Sequence, residues 1–501
     1  MKIFTRFHRP MSYLIFIMFS LYPLVSSASE TVQPKLTPEE IKGILESDRR
    51  FQHMDMSRLD LSGFDLAKVF LKVIDLSRIR LNHANLTDSI ITSSNMGEAR
   101  LNHANLTGAK IFDTDLPKVD LRGACLTCII MISNNMMDAN LADSTIRYGV
   151  IRHTNLNRAN LKGANLSFSF IQSNLNATDL KNANMHGAYL LDVQMEGADL
   201  SGANLSGARM EGVVMRGTRT KHAILAKVNL NYAVIESSRM DSADLNGAYL
   251  NGIYINRVGM SDAILISANI NNACISHSDM SGADLRYAVA VHSIFDDVDL
   301  GKTNLSGVDF RYTDLSRTTM AMAILNKADL RAASLNGAKM QNVDLTLANL
   351  ENADLSNADL TNAIFDRTIL KNIKLQNAIL SGVRLQKADL RGFNLSGLKM
   401  GKALLAETNL SKANLTHAEL AGADLKMCDL SEANMADADL RGADLRRADL
   451  RDTILVNALL NDADLSGADV KGADFSGVNI KLIKNFQGVK NLDKAKGLPT
   501  E

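Results

Sequence analysis

A chain of 501 residues with 55 Lys+Arg against 55 Asp+Glu carries no net charge, which excludes the broad basic footprint that nucleic acid or an anionic membrane requires of a partner. Its 46% hydrophobic content is carried by Leu, Ala, Ile and Met, with only 5% aromatic residues, six Pro and no Trp. No linker-like stretch divides the chain after residue 37, so a string of globular domains of about 100 to 200 residues each is excluded as well.

The chain opens on Lys2, Arg6 and Arg9, an apolar run from Met11 to Val25, and then the small residues Ser26, Ser27 and Ala28. This is the pattern of a secretory signal peptide at 1–28, cut after Ala28. The run is broken by Pro23 and is shorter than the roughly 20 residues a bilayer span needs. The expectation is an exported protein, periplasmic or secreted, with no integral membrane span after cleavage and a mature charge of about −3. Residues 29–53 read as a linker and a capping helix. Thr37, Pro38 and Glu40 form a capping box that opens a helix running to about Arg50, with Ile41, Ile44 and Leu45 on one side.

From Met56 an apolar residue returns at every fifth position, as at Leu61, Leu66, Leu71, Leu76 and Leu81. Neither a strand nor an amphipathic helix has that period. The register holds to Ile171, loses one residue before Leu175, and continues to Ile480, giving about 86 tandem units over 54–480. Two positions before each large residue stands a small one, such as Ala183, Ala198 or Ala203; the position just before is commonly Asp or Asn. Two inward and three outward residues per unit follow, with turn-forming residues in each. The slip at 171–175 predicts a local kink or bulge, or else a hinge between two rods. The tail 481–501 is the candidate C-terminal cap.

This A-D/N-L-x-x pattern, plain in ADLSGANLSGARM at 198–210 and ADLRGADLRRADL at 438–450, resembles the pentapeptide-repeat family. The resemblance implies an all-β solenoid, a right-handed quadrilateral β-helix with four units per coil. The segment RLNHANLT, present at 80–87 and again at 100–107, supports that twenty-residue coil independently. About 21 coils stacked at strand spacing make a rod of roughly 100 Å.

Chemistry is sparse. Catalysis needs unlike groups converging in a concave site, whereas Asp199, Asp284, Asp359 and Asp439 are spread evenly along the rod as turn and solvated-face residues. Cys125 and Cys128 form a lone C-x-x-C with no second pair to complete a zinc site; both face outward, placed to close a small disulfide in an oxidising compartment. His83 and His103 occupy equivalent corners of adjacent coils without a third ligand. The reading is a non-enzyme with no cofactor and no metal.

One face stands out. Most units of 56–171 place a polar residue just before the inward one, but Phe70, Ile90, Ile130, Val150 and Phe170 break that rule at multiples of twenty, with Lys110 the single interruption. Phe112, Ile132, Tyr148, Phe168, Tyr189 and Leu191 adjoin them, giving a stripe of roughly 300 Å², a size of patch that is often functional. The competing explanations are that the N-terminal segment covers this face, or that β-branched and aromatic residues favour the straightest side of the square. These eleven residues are the candidate partner-binding set, for a protein partner or a second copy, with nucleic acid excluded. Two alternatives follow from the resemblance: a secreted bacterial effector acting in a host cell, and a DNA-mimic inhibitor of a topoisomerase. Neutral charge and the export signal weigh against the second.

Overall fold

A computed structural model describes residues 33–498; the signal-peptide assignment at 1–28 lies outside the described residues. The chain winds as a β-solenoid in which each side is bridged in parallel to the residue twenty positions on, as in Asp60↔Arg80, Asp65↔Asn85, Phe70↔Ile90 and Asp75↔Asn95. Four such bridges per coil make four sides. The large residue of each unit and the small one two positions before it are buried in one continuous core, Leu200 with Ala198 and Leu205 with Ala203 among them. Each buried Leu contributes about 1.5 to 3 kcal/mol before the entropy of ordering the chain is counted.

The corners explain the polar positions. Two residues after each inward one, the backbone enters the left-handed region, at φ 56° for Arg78 and 58° for His83. At most corners the next N–H closes the turn on the inward residue's carbonyl, as Ile79 N–H does on Leu76 O at 3.2 Å. The Asp or Asn before the inward residue accepts the N–H of the residue after it, as Asp199 Oδ1 does from Ser201 at 3.1 Å. An Asx turn therefore spans the units that carry Asp or Asn at this position and keep that bond, about half of them, which is the physical content of the D/N-L-S/T spelling.

Regular strand appears on one side at a time. The first sheet starts at Arg50–Gln52, runs through Phe70–Lys72, Ile90–Thr92, Lys110–Phe112, Ile130–Ile132, Val150–Asn155 and Phe170–Asn174, and ends at Tyr189–Leu190. The second joins Val214–Arg216, Val234–Glu236, Tyr254–Asn256, Cys274–Ser276 and Ile294–Asp296, on the side that follows in the chain. The sequence expectation of about 21 coils is not matched by this strand ladder, which gives a solenoid of about 12 turns. Beyond Asp296 the twenty-residue pairing is carried by isolated bridges.

At the strand corners the turn-closing N–H has no inward carbonyl to reach, and a polar ladder replaces the Ala ladder there. Ile74 N–H donates to Ser94 Oγ at 3.2 Å, and Thr114 N–H to Asn134 Oδ1 at 3.0 Å. Thr154 N–H donates to Ser173 Oγ at 3.2 Å. The second sheet repeats the device, with Thr218 N–H donating to Ser238 Oγ at 3.0 Å and Val258 N–H to Ser278 Oγ at 3.1 Å.

The slip is a missing corner. Phe170–Asn174 runs straight, with no left-handed residue between Phe168 and Ala177, while the paired strand Val150–Asn155 keeps its extra residue as a bulge between Arg152 and Asn155. The first sheet, through Tyr189–Leu190, and the core continue past it.

The ends are closed differently. A helix, Pro38–Ser47, carries the expected capping box, with Thr37 N–H donating to Glu40 Oε2 at 2.8 Å. It stops three residues short of the expected Arg50 because Arg50–Gln52 is already paired into the first sheet. Ile41 is fully buried on the core, with Ile44 and Leu45 half-buried beside it. At the other end the five-residue register closes at Phe475 rather than Ile480, which is half-buried and opens the first of three 3-10 helices, Ile480–Leu482, Phe486–Gly488 and Leu492–Lys494. Here the period lengthens from five to six. Lys484, Lys490 and Lys496 bridge Asp464, Asp469 and Asp474, and Phe486 packs edge-on against Phe475 at 5.5 Å.

Asn134 holds the strand corner twice, since its Nδ2 also donates to Ile111 O at 2.9 Å. Replacing Asn134 with Leu leaves a buried N–H and a buried carbonyl unpaired, and should destabilise the solenoid by about 1 to 3 kcal/mol. Urea unfolding followed by circular dichroism measures this.

Asp199 supplies a pH test. Burial alone would push its carboxyl up, but the Ser201 hydroxyl and backbone N–H, Arg219 and Lys181 outweigh it and hold the pKa down at about 2. A depressed folded-state pKa makes the stabilisation complete above the ordinary carboxylate range near pH 4 and removes it as pH falls toward about 2. Asp199→Asn should therefore lower the melting temperature at pH 7 and narrow its deficit against the native chain below pH 3, read from melting curves across that range.

Candidate functional site

The candidate residues divide by exposure. Phe70, Ile90, Phe112, Ile130, Ile132, Val150 and Phe170 lie within the first sheet and are half-buried, each lying in the same column as its counterparts in neighbouring coils. The second sheet has the same taste for apolar residues at the matching position, in Val214, Val234, Tyr254, Cys274 and Ile294. Strand formation thus accounts for the column. It does not account for Tyr148, Phe168 and Leu191, which are exposed and gather with Tyr189, the exposed last residue of the column, where the first sheet ends.

Tyr148 and Phe168 are left-handed corner residues one coil apart, 50% and 42% exposed, with rings stacked at 5.6 Å. His186 meets Phe168 edge-on at 5.2 Å. Below Phe168 the next corner is Gly187, where a Cβ would come within 2.7 Å of the ring, so the glycine lets the ring lie flat along the rod. The Arg147 guanidinium stands 4.8 Å from the centre of the Tyr148 ring and 5.7 Å from that of Phe168; Arg209 stands 4.8 Å over Tyr189. Aromatic faces with Arg alongside, at the surface and preorganised, are what protein hot spots are made of.

Two shallow grooves mark the places where the strand ladders end. One, of about 690 Å³, lies on the register slip and is lined by His153, Thr154, Asn155, Asn157, Gln172, Ser173, Asn174, Asp192 and Gln194. The other, of about 510 Å³, lies at the end of the second sheet between Tyr254 and Arg317 and includes Cys274, His277 and the Arg317–Asp296 ion pair. Sequence reasoning found neither the second apolar column nor the grooves. The signal for the column was present as polar residues in the Ala position, Ser94, Thr114, Asn134 and Thr154 at twenty-residue spacing, then Thr218, Ser238 and Ser278 at multiples of twenty with Val258 between.

The remaining candidates are local. Cys125 and Cys128 are free thiols, as are Cys274 and Cys428. Cys125 Sγ lies 3.3 Å from Thr107 Oγ1 and 3.6 Å from Thr127 Oγ1, while Cys128 is exposed at a left-handed corner. Burial raises the Cys125 thiol, but the two hydroxyls outweigh it and leave its pKa below the ordinary value. His83 and His103 stack at 5.4 Å, and no group of three metal-binding side chains converges among the described residues. No described helix is long and apolar enough to cross a membrane.

Comparison with known proteins supplies the context. The family model described as pentapeptide repeats (8 copies) matches in overlapping stretches from residue 74 to residue 481, over well more than half of the chain. Among solved structures, the pentapeptide-repeat protein HetL, involved in heterocyst differentiation regulation in the cyanobacterium Nostoc sp. strain PCC 7120, is 24% identical. That alignment covers 50% of this chain and 93% of HetL, with a TM-score of 0.27. QnrB1, a plasmid-mediated fluoroquinolone resistance protein, is 19% identical over 41% of this chain and 92% of its own, with a TM-score of 0.24. The cyanobacterial pentapeptide-repeat protein Rfr23 from Cyanothece 51142 is 28% identical over 26% of this chain and 86% of its own, with a TM-score of 0.12. No curated protein matches the sequence.

The thiols give a direct check on this geometry. Cys428 is buried, with its sulfur 2.8 Å from Leu405 O and its pKa pushed up to about 12 by burial. In the native protein a thiol-reactive chromophore should label Cys128 fastest and leave Cys428 unlabelled until denaturant is added. Rapid native labelling at Cys428, located by peptide mass, would contradict the packing described.

Proposed function

The chain belongs to the pentapeptide-repeat family, whose members are generally scaffolds without enzymatic activity, and we propose that it is an exported scaffold that captures a protein partner, or a second copy of itself, at the end of its first sheet. The observation that carries this reading is the exposed aromatic corner of Tyr148, Phe168 and His186 with Arg147 across the rings, continued by Tyr189 and Leu191. Large rings fixed at a left-handed corner lose little further freedom on docking, so the ordering cost of an interface there is small. The half-buried column Phe70, Ile90, Ile130, Val150 and Phe170 extends the surface along the rod as complementary contact, with Phe112 and Ile132 beside it. The export signal at 1–28 places such a scaffold in the periplasm or outside the cell, which is part of the proposal.

A DNA-mimic role finds no support in the outward acids. Asp309 is held bidentately by Arg311 at 2.8 and 2.7 Å, and Asp284, Asp329, Asp439, Asp444 and Asp449 are paired in the same way with the Arg two residues on. Rows neutralised within each unit do not present the phosphate-like charge that such mimicry needs.

The test is substitution of the surface. Ile130→Asp combined with Phe170→Asp, and separately Phe168→Asp at the fully outward corner, should abolish self-association in light scattering or remove a crosslinked partner from cell-envelope pull-downs. The far-ultraviolet circular dichroism should stay native. Unaltered scattering and an unaltered set of crosslinked proteins for Phe168→Asp would reject this surface.

A further inference from the structure

The groove on the register slip has a composition that the protein-docking surface does not explain. Pockets for drug-sized ligands are mostly apolar with a few polar groups; this one is lined by five carboxamide side chains, Asn155, Asn157, Gln172, Asn174 and Gln194, with Thr154, Ser173, His153 and Asp192 completing it. Its origin is mechanical. Deleting one corner residue straightens Phe170–Asn174 beneath a strand that still bulges at His153, and the step between the two coils is the groove.

Some of these groups are occupied and others are not. Arg152 Nε donates to Gln172 Oε1 at 3.0 Å and Gln172 Nε2 to Asp192 Oδ2 at 3.2 Å, a ladder that balances charge across three coils. By contrast, Asn157 Oδ1 is buried in the groove floor without a donor, an arrangement that buried polar atoms avoid unless something outside the protein satisfies them. The side chains of His153 and Gln194 and the Asn174 Nδ2 form no hydrogen bond among the described residues, while Asn174 Oδ1 is used by Asn176 N–H at 2.9 Å. Unused donors and acceptors therefore converge on one concave spot, in which Asp192 is engaged by Gln172.

We propose that this groove binds a neutral, hydroxyl-rich chain, an oligosaccharide segment, through side-chain amides. A carboxamide donates and accepts at once, as a hydroxyl does, so a row of them matches a polyol without selecting for charge. An extended peptide is the poorer match. Recognition of a peptide by strand addition needs free backbone groups, and here those groups are spent on coil-to-coil pairing, as in Leu156 N–H to Asn174 O at 3.1 Å and Leu175 N–H to Gln194 O at 2.9 Å.

The side chains of Asn157 and Gln194 make no hydrogen bond among the described residues, so Asn157→Ala combined with Gln194→Ala removes ligand contacts and leaves the described scaffold hydrogen bonds in place. Titration calorimetry and ligand-observed NMR of the full chain with cellohexaose, maltohexaose and chitohexaose as probes should give saturable binding of at least one, equally at low and high salt. The double variant should weaken it at least tenfold with an unshifted melting curve. Phe168→Asp should leave it intact, which separates this site from the protein-docking corner. Absence of binding by all three probes, binding that persists in the double variant, or binding that collapses with salt overturns the proposal.

Discussion

Backbone pairing between residues twenty apart is the constraint on which everything else rests. Each side of a coil gives its N–H and C=O groups to the coils above and below, as Leu61 N–H does to Arg80 O at 2.8 Å and Arg80 N–H to Leu59 O at 2.8 Å. A parallel ladder of this kind tolerates no drift in coil length. One large and one small residue per side then fill a fixed cross-section, and aromatic residues are largely displaced from the core to its few wider places, as where Phe295 meets Phe310 edge-on at 5.5 Å. Neutral charge follows the same geometry, because an outward acid finds its counter-ion either two positions on, as Asp449 does in Arg451, or one coil away, as Asp199 does in Arg219. Salt bridges such as Arg451–Asp449 at 2.6 Å are surface pairs, worth little each, but they keep the rows of acids from repelling one another along the rod.

The same constraint explains how far the sequence could be read. The five-residue period, the inward Leu and Ala, the helix cap at Thr37 and the slip at 171–175 all have direct spellings, because each is enforced in every coil or by a local hydrogen-bond pattern. Two features did not yield to that reading. The lengthening from five to six residues at the C-terminal end is spelled by Asn485 and Asn491 at left-handed φ values of 55° and 56°, yet a search for the five-residue register carried on to Ile480. The apolar face was recognised, but its cause was split between docking and strand preference. The second column at Val214 to Ile294 shows the same residue preference wherever regular strand forms, and the exposed corner at Tyr148 and Phe168 lies outside both columns.

That division follows from where a solenoid can afford variation. A residue within the ladder is judged by how it stacks on its neighbours one coil away, so its identity reports on strand geometry. A left-handed corner residue has no such duty. At a corner, Asp, Asn, Lys or Gly would serve the backbone as well as Tyr148 or Phe168 do, and with less strain for the ring-bearing residues. Large rings held there, over Gly187 and beneath Arg147, are therefore the more informative observation, even though they are fewer than the residues of the column.

The register slip joins these threads. A solenoid of constant period has nearly flat sides; a break in the period makes a recess, and such a break must not open the ladder. Dropping the corner at 171–175 meets both demands: the bulge at His153 absorbs the mismatch, Ser173 still accepts the Thr154 N–H at 3.2 Å, and Ile171 and Leu175 remain buried. The regular strand also changes sides just after this point, since the straightened segment leaves the next corner to take up the extended form. One omitted residue thereby brings the end of the first sheet, the groove of amides and the exposed aromatic corner within two coils of each other.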